Sequence, residues 1–251
     1  MNKRFYFYGV PIDCLSMNET INLIDRSIQS GVKIQQVSLN IIKFMMLREF
    51  NEQYQGIKKA DIVNIDGQGL LFALKLLKMP FKDRIAGIDL MQRVIELAEK
   101  RKYKVFLLGA RKDVVKKVAE LINNKYSDVV VGYHHGYFEP TEEEAIVDKI
   151  NSYKVNILFI GISSPKKEIF IKRNKEKLNV SFIMGVGGSF DVLAGRIKRA
   201  PTWMQKIGME WFYRFIQEPY RFSRYFKYYL KFLVSFWDTW LRRKEIVSYL
   251  N

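Results

Sequence analysis

The chain has 251 residues, of which 48% are hydrophobic and 27% charged, with 42 Lys and Arg against 26 Asp and Glu. This length and apolar content suit a folded domain with an appendage and exclude a disordered or fibrous chain. One cysteine, Cys14, excludes an internal disulfide framework, and only two histidines, His134 and His135, argue against a conventional zinc centre. The net charge of +16 predicts an anionic partner, which is nucleic acid, a phosphorylated substrate or a membrane surface.

Short apolar runs alternate with charged, helix-periodic segments along the first 200 residues. Helices are predicted over 70–78 and 113–125, and two helix starts carry capping boxes, Ser16-x-x-Glu19 and Thr141-x-x-Glu144. The alternation predicts an α/β fold with a mainly parallel sheet covered by helices on both faces. The predicted strands are 34–40, 61–65, 104–109, 129–133, 156–161 and 180–185.

The composition changes near Pro201. Residues 201–251 hold nine Lys and Arg, four Asp and Glu, and 16 of the 36 aromatic residues. Beyond Pro219, apolar residues recur at three- or four-residue steps between cations, which is typical of a helix at a membrane interface; a helix packed on the core or on another subunit is the alternative. We therefore expect an α/β core over 1–200 and a helical appendage over 201–251, with 221–251 on an anionic membrane.

The sequence also bears on location. The first residues lack the apolar stretch of a secretory signal, and no window of about 18 uncharged apolar residues could span a bilayer. The sequence therefore predicts a cytoplasmic protein held peripherally at the inner face of the membrane. The oligomeric state stays open, a homo-oligomer included.

In parallel α/β sheets, ligands bind beyond the carboxyl ends of the strands. Glycines at such ends let backbone N–H groups approach a nucleotide diphosphate, or they serve only tight turns. The dinucleotide fingerprint G-x-G-x-x-G is absent, which argues against a nicotinamide-dependent oxidoreductase. The unusual strand ends are Ser38-Leu39-Asn40, Asp66-Gly67-Gln68-Gly69, Gly109-Ala110-Arg111, and Gly185 to Asp191 with Gly187 and Gly188.

Two strand ends carry titratable groups with open roles. Asp66 is either a general base at the ligand face of the sheet or the cap of the helix over 70–78. His134 and His135 either contact a ligand or form structural hydrogen bonds.

The run from Gly185 to Pro201 closely resembles the WecG/TagA/CpsF glycosyltransferases, glycosyltransferase family 26. The similarity continues in order from about residue 5 to 225. The other matching stretches are Asp66-Gly67, Asp83 to Asp89, Phe106 to Gly109, His134 to Phe138, Ser164 to Glu168, Trp203, Glu210-Trp211, Arg214 and Glu218-Pro219.

The resemblance implies a Rossmann-like core and metal-independent, inverting sugar transfer without a cofactor. The expected donor is a UDP-sugar, with N-acetylmannosamine as the first candidate and another hexose or a uronic acid as the alternative. The expected acceptor is N-acetylglucosamine on undecaprenyl diphosphate at the inner membrane face. Such products enter teichoic acid or surface polysaccharide synthesis.

The resemblance also implies roles for individual residues. Asp66 falls on the family's catalytic base, and Ser38 and Asn40 fall on a pattern that lines the substrate pocket. The C-terminal appendage of the family is thought to close over the active site and bring arginines to the substrate diphosphates. Those arginines are Arg214, Arg221 and Arg224 here.

The chain has no Asp-x-Asp, which other glycosyltransferases use to bind a metal and a diphosphate. Arg84, Lys198 and Arg199 are the expected cations for the leaving group. Gly109, Gly187, Gly188 and Asp191 complete the predicted substrate contacts.

One residue departs from the family pattern. Lys167 stands where members commonly have glutamine, and lysine only donates hydrogen bonds. This departure leaves a different or acidic donor sugar open.

Nucleic acid is the partner that composition alone would favour, since the sequence pI is 9.7 and aromatic residues lie between the cations. No recognised nucleic-acid-binding motif supports it. We therefore expect no nucleic-acid partner.

Overall fold

The computed structural model describes residues 4–49, 56–81, 83–219 and 222–241. Six strands, β3 to β8, form one parallel sheet in the order β4-β3-β8-β7-β5-β6, which confirms the predicted α/β fold. Each of these strands lies within two residues of its predicted bounds at either end. The strands are β1 Arg4–Phe7, β2 Val10–Asp13, β3 Ile34–Leu39, β4 Ile62–Ile65, β5 Val105–Gly109, β6 Val130–His134, β7 Ile157–Gly161 and β8 Phe182–Gly185.

Helices connect the strands of the sheet and continue beyond β8. They are α1 Met17–Gln29, α2 Ile41–Glu49, α3 Gln68–Leu76, α4 Gly87–Arg101, α5 Lys112–Lys125, α6 Glu143–Ser152, α7 Lys166–Asn174, α8 Ser189–Leu193, α9 Thr202–Lys206, α10 Glu210–Gln217 and α11 Phe222–Leu241.

The two predicted capping boxes have different outcomes. The box of Ser16 and Glu19 at the start of α1 is confirmed. The box at Thr141 is wrong, because a 3₁₀ turn over Pro140–Glu142 precedes α6 and the box joins Glu139 to Glu142. Proline favours the first position of a helical turn, so this turn begins before the predicted cap.

Helices cover both faces of the sheet, as predicted. Val105 and Leu107 of β5 point to one face and pack in a core with α1, α4 and α5. Phe106 and Leu108 point to the other face and pack with α6 and α7. Strand residues alternate between faces, so a strand buried on both sides is apolar throughout.

The topology places a crevice at the carboxyl ends of the central strands. The chain leaves β3 toward one edge of the sheet and β5 toward the other, and β8 and β7 fill the space between them. Ligand sites of open α/β sheets form where the direction of the connections reverses. The loops after β3, β4 and β8 therefore face the candidate site.

A two-stranded hairpin, β1–β2, precedes the sheet and was not predicted. Its turn residues Tyr8 and Gly9 both have left-handed backbones, with φ of 50° and 69°, as a tight hairpin turn requires. Asp13 is buried, pairs with Arg4 at 2.8 Å and accepts from the Val63 N–H at 2.7 Å, which attaches the hairpin to β4.

The long C-terminal helix α11 packs on α2 with one face. Tyr228, Phe232 and Phe236 are buried in the core that contains α2, and the Tyr8 hydroxyl donates to the Ser235 carbonyl at 3.0 Å. The opposite face exposes six large apolar residues: Phe226, Leu230, Leu233, Val234, Trp237 and Leu241. The single apolar stripe expected from the sequence therefore divides between a packed face and an exposed face.

The boundary at residue 200 stays a prediction. Within the described residues, contacts cross it through α10 and through α11, whose buried face completes a core with α2, β1 and β2. Among all the residues that the structure describes, no helix is long and apolar enough to cross a membrane.

Candidate active site

Asp66 lies at the carboxyl end of β4, tied to the neighbouring strand and to a distant helix. Its backbone N–H donates to the Leu39 carbonyl at 2.8 Å. Its Oδ1 accepts from the Gly87 N–H, at the first residue of α4, at 3.2 Å. The helix that follows Asp66 has Gly67 as its N-cap, without a side-chain capping bond. The interpretation of Asp66 as the cap of the following helix is therefore wrong.

The start of α4 provides a favourable place for the Asp66 carboxylate. Backbone N–H groups at a helix N-terminus attract negative charge. A Cβ on Gly87 would lie 3.0 Å from the Ser38 Oγ and 3.8 Å from the Asp66 Oδ2. Glycine at this position therefore lets α4 approach both side chains closely.

Asn40 follows β3 and caps α2. Its Oδ1 accepts from the Lys43 N–H at 2.9 Å, and its carbonyl accepts from the Phe44 N–H at 2.8 Å. Asn40 also borders the turn after Asp66, since its Cβ is 3.1 Å from the place of a Cβ on Gly67. The structure thus brings Ser38, Asn40 and Asp66 together, as predicted from the strand ends.

Two lysines and one carboxylate form a cluster beside β3 and β8, in which Lys167 and Glu168 are buried and Lys43 is partly buried. The Lys167 Nζ lies 3.2 Å from Glu168 Oε1, and both side chains are buried. The aliphatic part of Lys167 crosses Gly185, where a Cβ would come within 2.7 Å of it. The Lys43 Nζ donates to the Ser38 carbonyl at 2.6 Å. Lys43 therefore holds the backbone of a predicted substrate contact.

The cluster shifts the ionisation of its members. Burial lowers the pKa of Lys43 to about 8, and the positive charge of Lys167 acts in the same direction. Burial alone would raise the pKa of Glu168, but Lys167 and Lys43 bring it below its usual range. The cluster has two cationic groups for one carboxylate.

An ion-pair network joins the core to α10. Arg199 donates to both Asp89 oxygens, at 2.6 and 2.8 Å, and its Nε lies 3.8 Å from Glu210 Oε1. Arg84 donates to the other Glu210 oxygen at 3.2 Å. Since Asp89 is in the first turn of α4, the network reaches the helix whose N-terminus binds Asp66.

The other end of α10 is held by a pair of amide hydrogen bonds. The Gln217 side chain accepts from the Lys198 N–H and donates to the Lys198 carbonyl, each at 2.9 Å. The Lys198 side chain is exposed. Arg84 and Arg199 are thus engaged with carboxylates, and the charge of Arg199 also interacts with Asp66. Lys198 contributes its backbone to the packing of α10.

The remaining predicted contacts lie along the same edge of the sheet. Gly109 ends β5, and Gly187 and Gly188 precede α8. Asp191 lies in α8 and accepts from Arg196 at 3.1 Å. The Arg214 and Arg224 side chains, and Arg221 entirely, lie outside the described residues.

The two histidine rings pack against each other at a tilt of 38° at the end of β6, with ring centroids 4.4 Å apart. The His134 Nδ1 lies 2.7 Å from the His135 carbonyl, so this nitrogen carries a proton and donates. Burial lowers the pKa of His134. This geometry fits the structural interpretation of His134.

Sequence reasoning missed several residues that shape the site. Lys43 was not singled out, and only tertiary packing brings its charge within reach of Asp66. Glu210 entered only through the family resemblance, and its pairing with Arg84 follows from tertiary packing. Gln36 and Asn64 had a readable signal, because each is an amide inside an otherwise apolar strand. Among the described residues, no three His, Cys, Asp or Glu side chains are grouped to hold a metal ion.

Comparison with known proteins adds to this geometry. The sequence profile of the "Glycosyl transferase WecG/TagA/CpsF family" matches residues 5–246. The N-acetylglucosaminyldiphosphoundecaprenol N-acetyl-beta-D-mannosaminyltransferase of Staphylococcus aureus (strain MW2) is 36% identical over 168 residues, 67% of this chain and 66% of that protein. The protein of the same name from Bacillus subtilis (strain 168) is 32% identical over 184 residues, 73% of this chain and 71% of that protein.

Replacing Lys43 with Met is expected to change the pH dependence of stability. The folded protein releases the Lys43 proton near pH 8, whereas an unfolded chain keeps it to about pH 10.4. Between these values the wild-type free energy of unfolding should rise relative to that of Lys43→Met, by at most about 1.4 kcal/mol per pH unit. Urea unfolding from pH 7.5 to 10 measures it. Lys43→Met is the non-titrating reference, and parallel curves would contradict the shift.

Glu210→Gln is expected to lower the free energy of unfolding by between about 1 and 3 kcal/mol, because partly buried arginines lose their partner. Glu96→Gln is the matched control, since Glu96 pairs with Arg93 at the same 3.2 Å but on the surface. Glu96→Gln should lower the free energy of unfolding by less than about 0.5 kcal/mol. Chemical denaturation compares the two variants, and equal losses would show that the network does not hold α10.

Proposed function

Because the chain belongs to the WecG/TagA/CpsF glycosyltransferase family, we propose that it transfers a sugar, with inversion, from a UDP-sugar to undecaprenyl-diphosphate-linked N-acetylglucosamine. N-acetylmannosamine is the first candidate, since the relatives from S. aureus and B. subtilis carry that activity in their names. The product would enter teichoic acid or surface polysaccharide synthesis. The observation that carries the proposal is the Asp66 carboxylate, held beside Ser38 at the ligand edge of the sheet.

Asp66 is the general base of the proposed reaction. The acceptor hydroxyl attacks the anomeric carbon of the donor, and its proton passes to the carboxylate. The bond between the anomeric carbon and the UDP oxygen breaks, and UDP leaves with the electron pair. The hydrogen bond from Gly87 to Oδ1 orients the carboxylate, and attack from the face opposite UDP inverts the configuration.

The leaving diphosphate needs positive charge or N–H donors. Arg84 and Arg199 are already paired with Glu210 and Asp89. We therefore assign much of this role to Arg214, Arg221 and Arg224, whose guanidinium groups suit phosphate geometry. Arg84 joins them by exchanging Glu210 for a phosphate oxygen. In this proposal the cations replace a metal ion, in keeping with the missing Asp-x-Asp.

A second candidate for the donor is a UDP-uronic acid. Lys43 and Lys167 supply two cationic groups to a cluster that contains one carboxylate, Glu168. A carboxylate on the donor sugar would balance that excess charge. The sugar is therefore the part of the proposal that needs a substrate panel.

We propose peripheral attachment to the inner face of the cell membrane through α11 and the residues after it. The exposed face of α11 includes Leu233 and Trp237, and Lys227 and Lys231 are exposed on the same helix. Exposed apolar residues beside cations suit the boundary between anionic headgroups and acyl chains. Such attachment would bring the site to its lipid-linked acceptor.

Asp66→Asn is expected to reduce transfer by about a thousandfold or more, because the amide retains the Gly87 contact but cannot take a proton. The assay incubates a panel of UDP-sugars, including N-acetylmannosamine and its uronic acid, with short-chain prenyl-diphospho-N-acetylglucosamine and reads product mass. Asp148→Asn, at an exposed position of α6, is the control. Wild-type rates in Asp66→Asn would remove Asp66 as the base, and no product from any donor would contradict the proposed reaction.

Replacing Leu233 and Trp237 together with Ser is expected to weaken vesicle binding at least tenfold, because it removes exposed apolar area and keeps the buried residues Tyr228, Phe232 and Phe236. Co-sedimentation with phosphatidylcholine–phosphatidylglycerol vesicles measures it. Leu121→Ser, at an exposed apolar position of α5, is the control. Deletion of 221–251 is a weaker test, since it also uncovers α2. Unchanged binding by the double variant would remove α11 as the membrane contact.

A further inference from the structure

Four polar side chains are buried in a row between the sheet and α1. Gln36 and Asn64 are each 1% exposed, Ser38 is 5% exposed and Thr20 is fully buried. Ser38 and Asn64 are register partners on β3 and β4, and Gln36 shares the face of Ser38. We call these four residues the buried relay. It begins under α1 and ends at Ser38, beside Asp66.

Each member of the buried relay contacts the next. The Thr20 hydroxyl donates to the Ser16 carbonyl at 2.9 Å. The Asn64 Nδ2 donates to the Thr20 Oγ1 at 3.2 Å. The Gln36 Nε2 donates to the Asn64 Oδ1 at 2.9 Å and to the Ser38 Oγ at 3.3 Å.

The Ser16 carbonyl fixes the direction of every bond in the relay. A carbonyl can only accept, so the Thr20 hydrogen must point to it, and the Thr20 oxygen must accept from Asn64. The Asn64 amide then has its nitrogen toward Thr20 and its oxygen toward Gln36. The Gln36 amide must in turn present its nitrogen to Asn64. The orientation of both amides therefore follows from the bonding pattern and from no separate assumption.

The consequence falls on the Ser38 hydroxyl. Because the Gln36 nitrogen donates to Ser38 Oγ, the Ser38 hydrogen points away from Gln36. The Oγ faces the start of α4, near Gly87 and the Asp66 carboxylate. Lys43 binds the Ser38 carbonyl from the other side and fixes the backbone. The Ser38 hydroxyl is thereby held as a hydrogen-bond donor beside Asp66.

Burying these polar side chains lowers the stability of the fold. Within the described residues, the Gln36 Oε1 is buried and has no hydrogen-bond partner. An unpaired buried acceptor lowers stability, and apolar side chains of similar size would avoid the penalty. Natural proteins tolerate such conflicts mainly at functional sites.

We propose that Gln36 and Asn64 are positioning residues, which fix the Ser38 hydroxyl as a donor toward a sugar oxygen of the substrate held against Asp66. This inference rests on the proposed function. Gln36 and Asn64 act through Ser38 and do not touch the substrate themselves. The sugar oxygen accepts from Ser38 while Asp66 takes the proton of the attacking hydroxyl.

The first experiment tests the relay by NMR and needs no activity assay. In the ¹⁵N-labelled full chain, the side-chain NH₂ signals of Gln36 and Asn64 are assigned by their loss in Gln36→Met and Asn64→Val. Ser38→Ala should shift a Gln36 NH₂ hydrogen, and Thr20→Val should shift those of Asn64. Gln36 signals that do not move in Ser38→Ala would overturn the proposed polarity, whatever the protein transfers.

The second experiment is a double-mutant cycle on transfer to the prenyl-diphosphate acceptor. Gln36→Met should lower kcat roughly tenfold with a small change in KM, because one oriented hydrogen bond is lost from the transition state. Gln36→Met in the Ser38→Ala background should cause no further loss of kcat. Losses that multiply would show that Gln36 acts independently of Ser38 and would overturn the proposal, as would a wild-type kcat in Gln36→Met.

Gln35→Met is the matched control, since Gln35 is buried on the opposite face of the same strand. It should keep kcat near the wild-type value. Thermal unfolding and UDP affinity check that each variant is folded, and Gln36→Leu replaces Gln36→Met if the latter does not fold. If the wild-type protein transfers no sugar from any donor, the proposed function is contradicted. If the wild-type protein is active and Gln36→Met has the same kcat, only the proposed role of the relay is contradicted.

Discussion

The hydrogen bond from the Gly87 N–H to Asp66 is the contact on which the candidate site depends. Asp66 is tied to β3 through the Leu39 carbonyl and to α4 through Gly87, so one residue joins two strands and a helix that lies 21 residues further along the chain. Glycine at 87 permits the approach, because any side chain there would meet the Ser38 hydroxyl. The proposed base, the Ser38 hydroxyl beside it and the N-terminus of α4 therefore share one constraint.

The charges around Asp66 are largely balanced inside the fold. Glu210 pairs with Arg84 and lies near Arg199, which also holds Asp89 in the first turn of α4. These pairs attach α10 to the core and leave less positive charge for a diphosphate than the sequence suggested. Lys43 and Lys167 lie together with Glu168 beside β3 and β8, and Lys43 also interacts with the charge of Asp66. The net charge of +16 thus has structural uses as well as the proposed ligand and membrane roles.

Much of the fold could be predicted because its signals are local. Buried parallel strands are continuous apolar runs, and glycine or polar residues mark their ends, so all six strands of the sheet were placed. The β1–β2 hairpin was missed because it is stabilised by the Asp13–Arg4 ion pair and by a hydrogen bond from the distant Val63 N–H to Asp13. Neither contact leaves a local pattern in the sequence. The division of α11 into packed and exposed faces was also missed, since aromatic residues occupy both and only contact with α2 separates them.

The sequence by itself determined the α/β class, the strand order in the chain and the residues at the strand ends, because these follow from hydrophobic period and turn chemistry. It also carried the family resemblance, and with it the role expected for Asp66. Only the tertiary structure decided that Asp66 binds the start of α4 rather than capping α3. It likewise decided which cations are paired and which way the buried relay points, since hydrogen-bond direction depends on partners that no local pattern encodes.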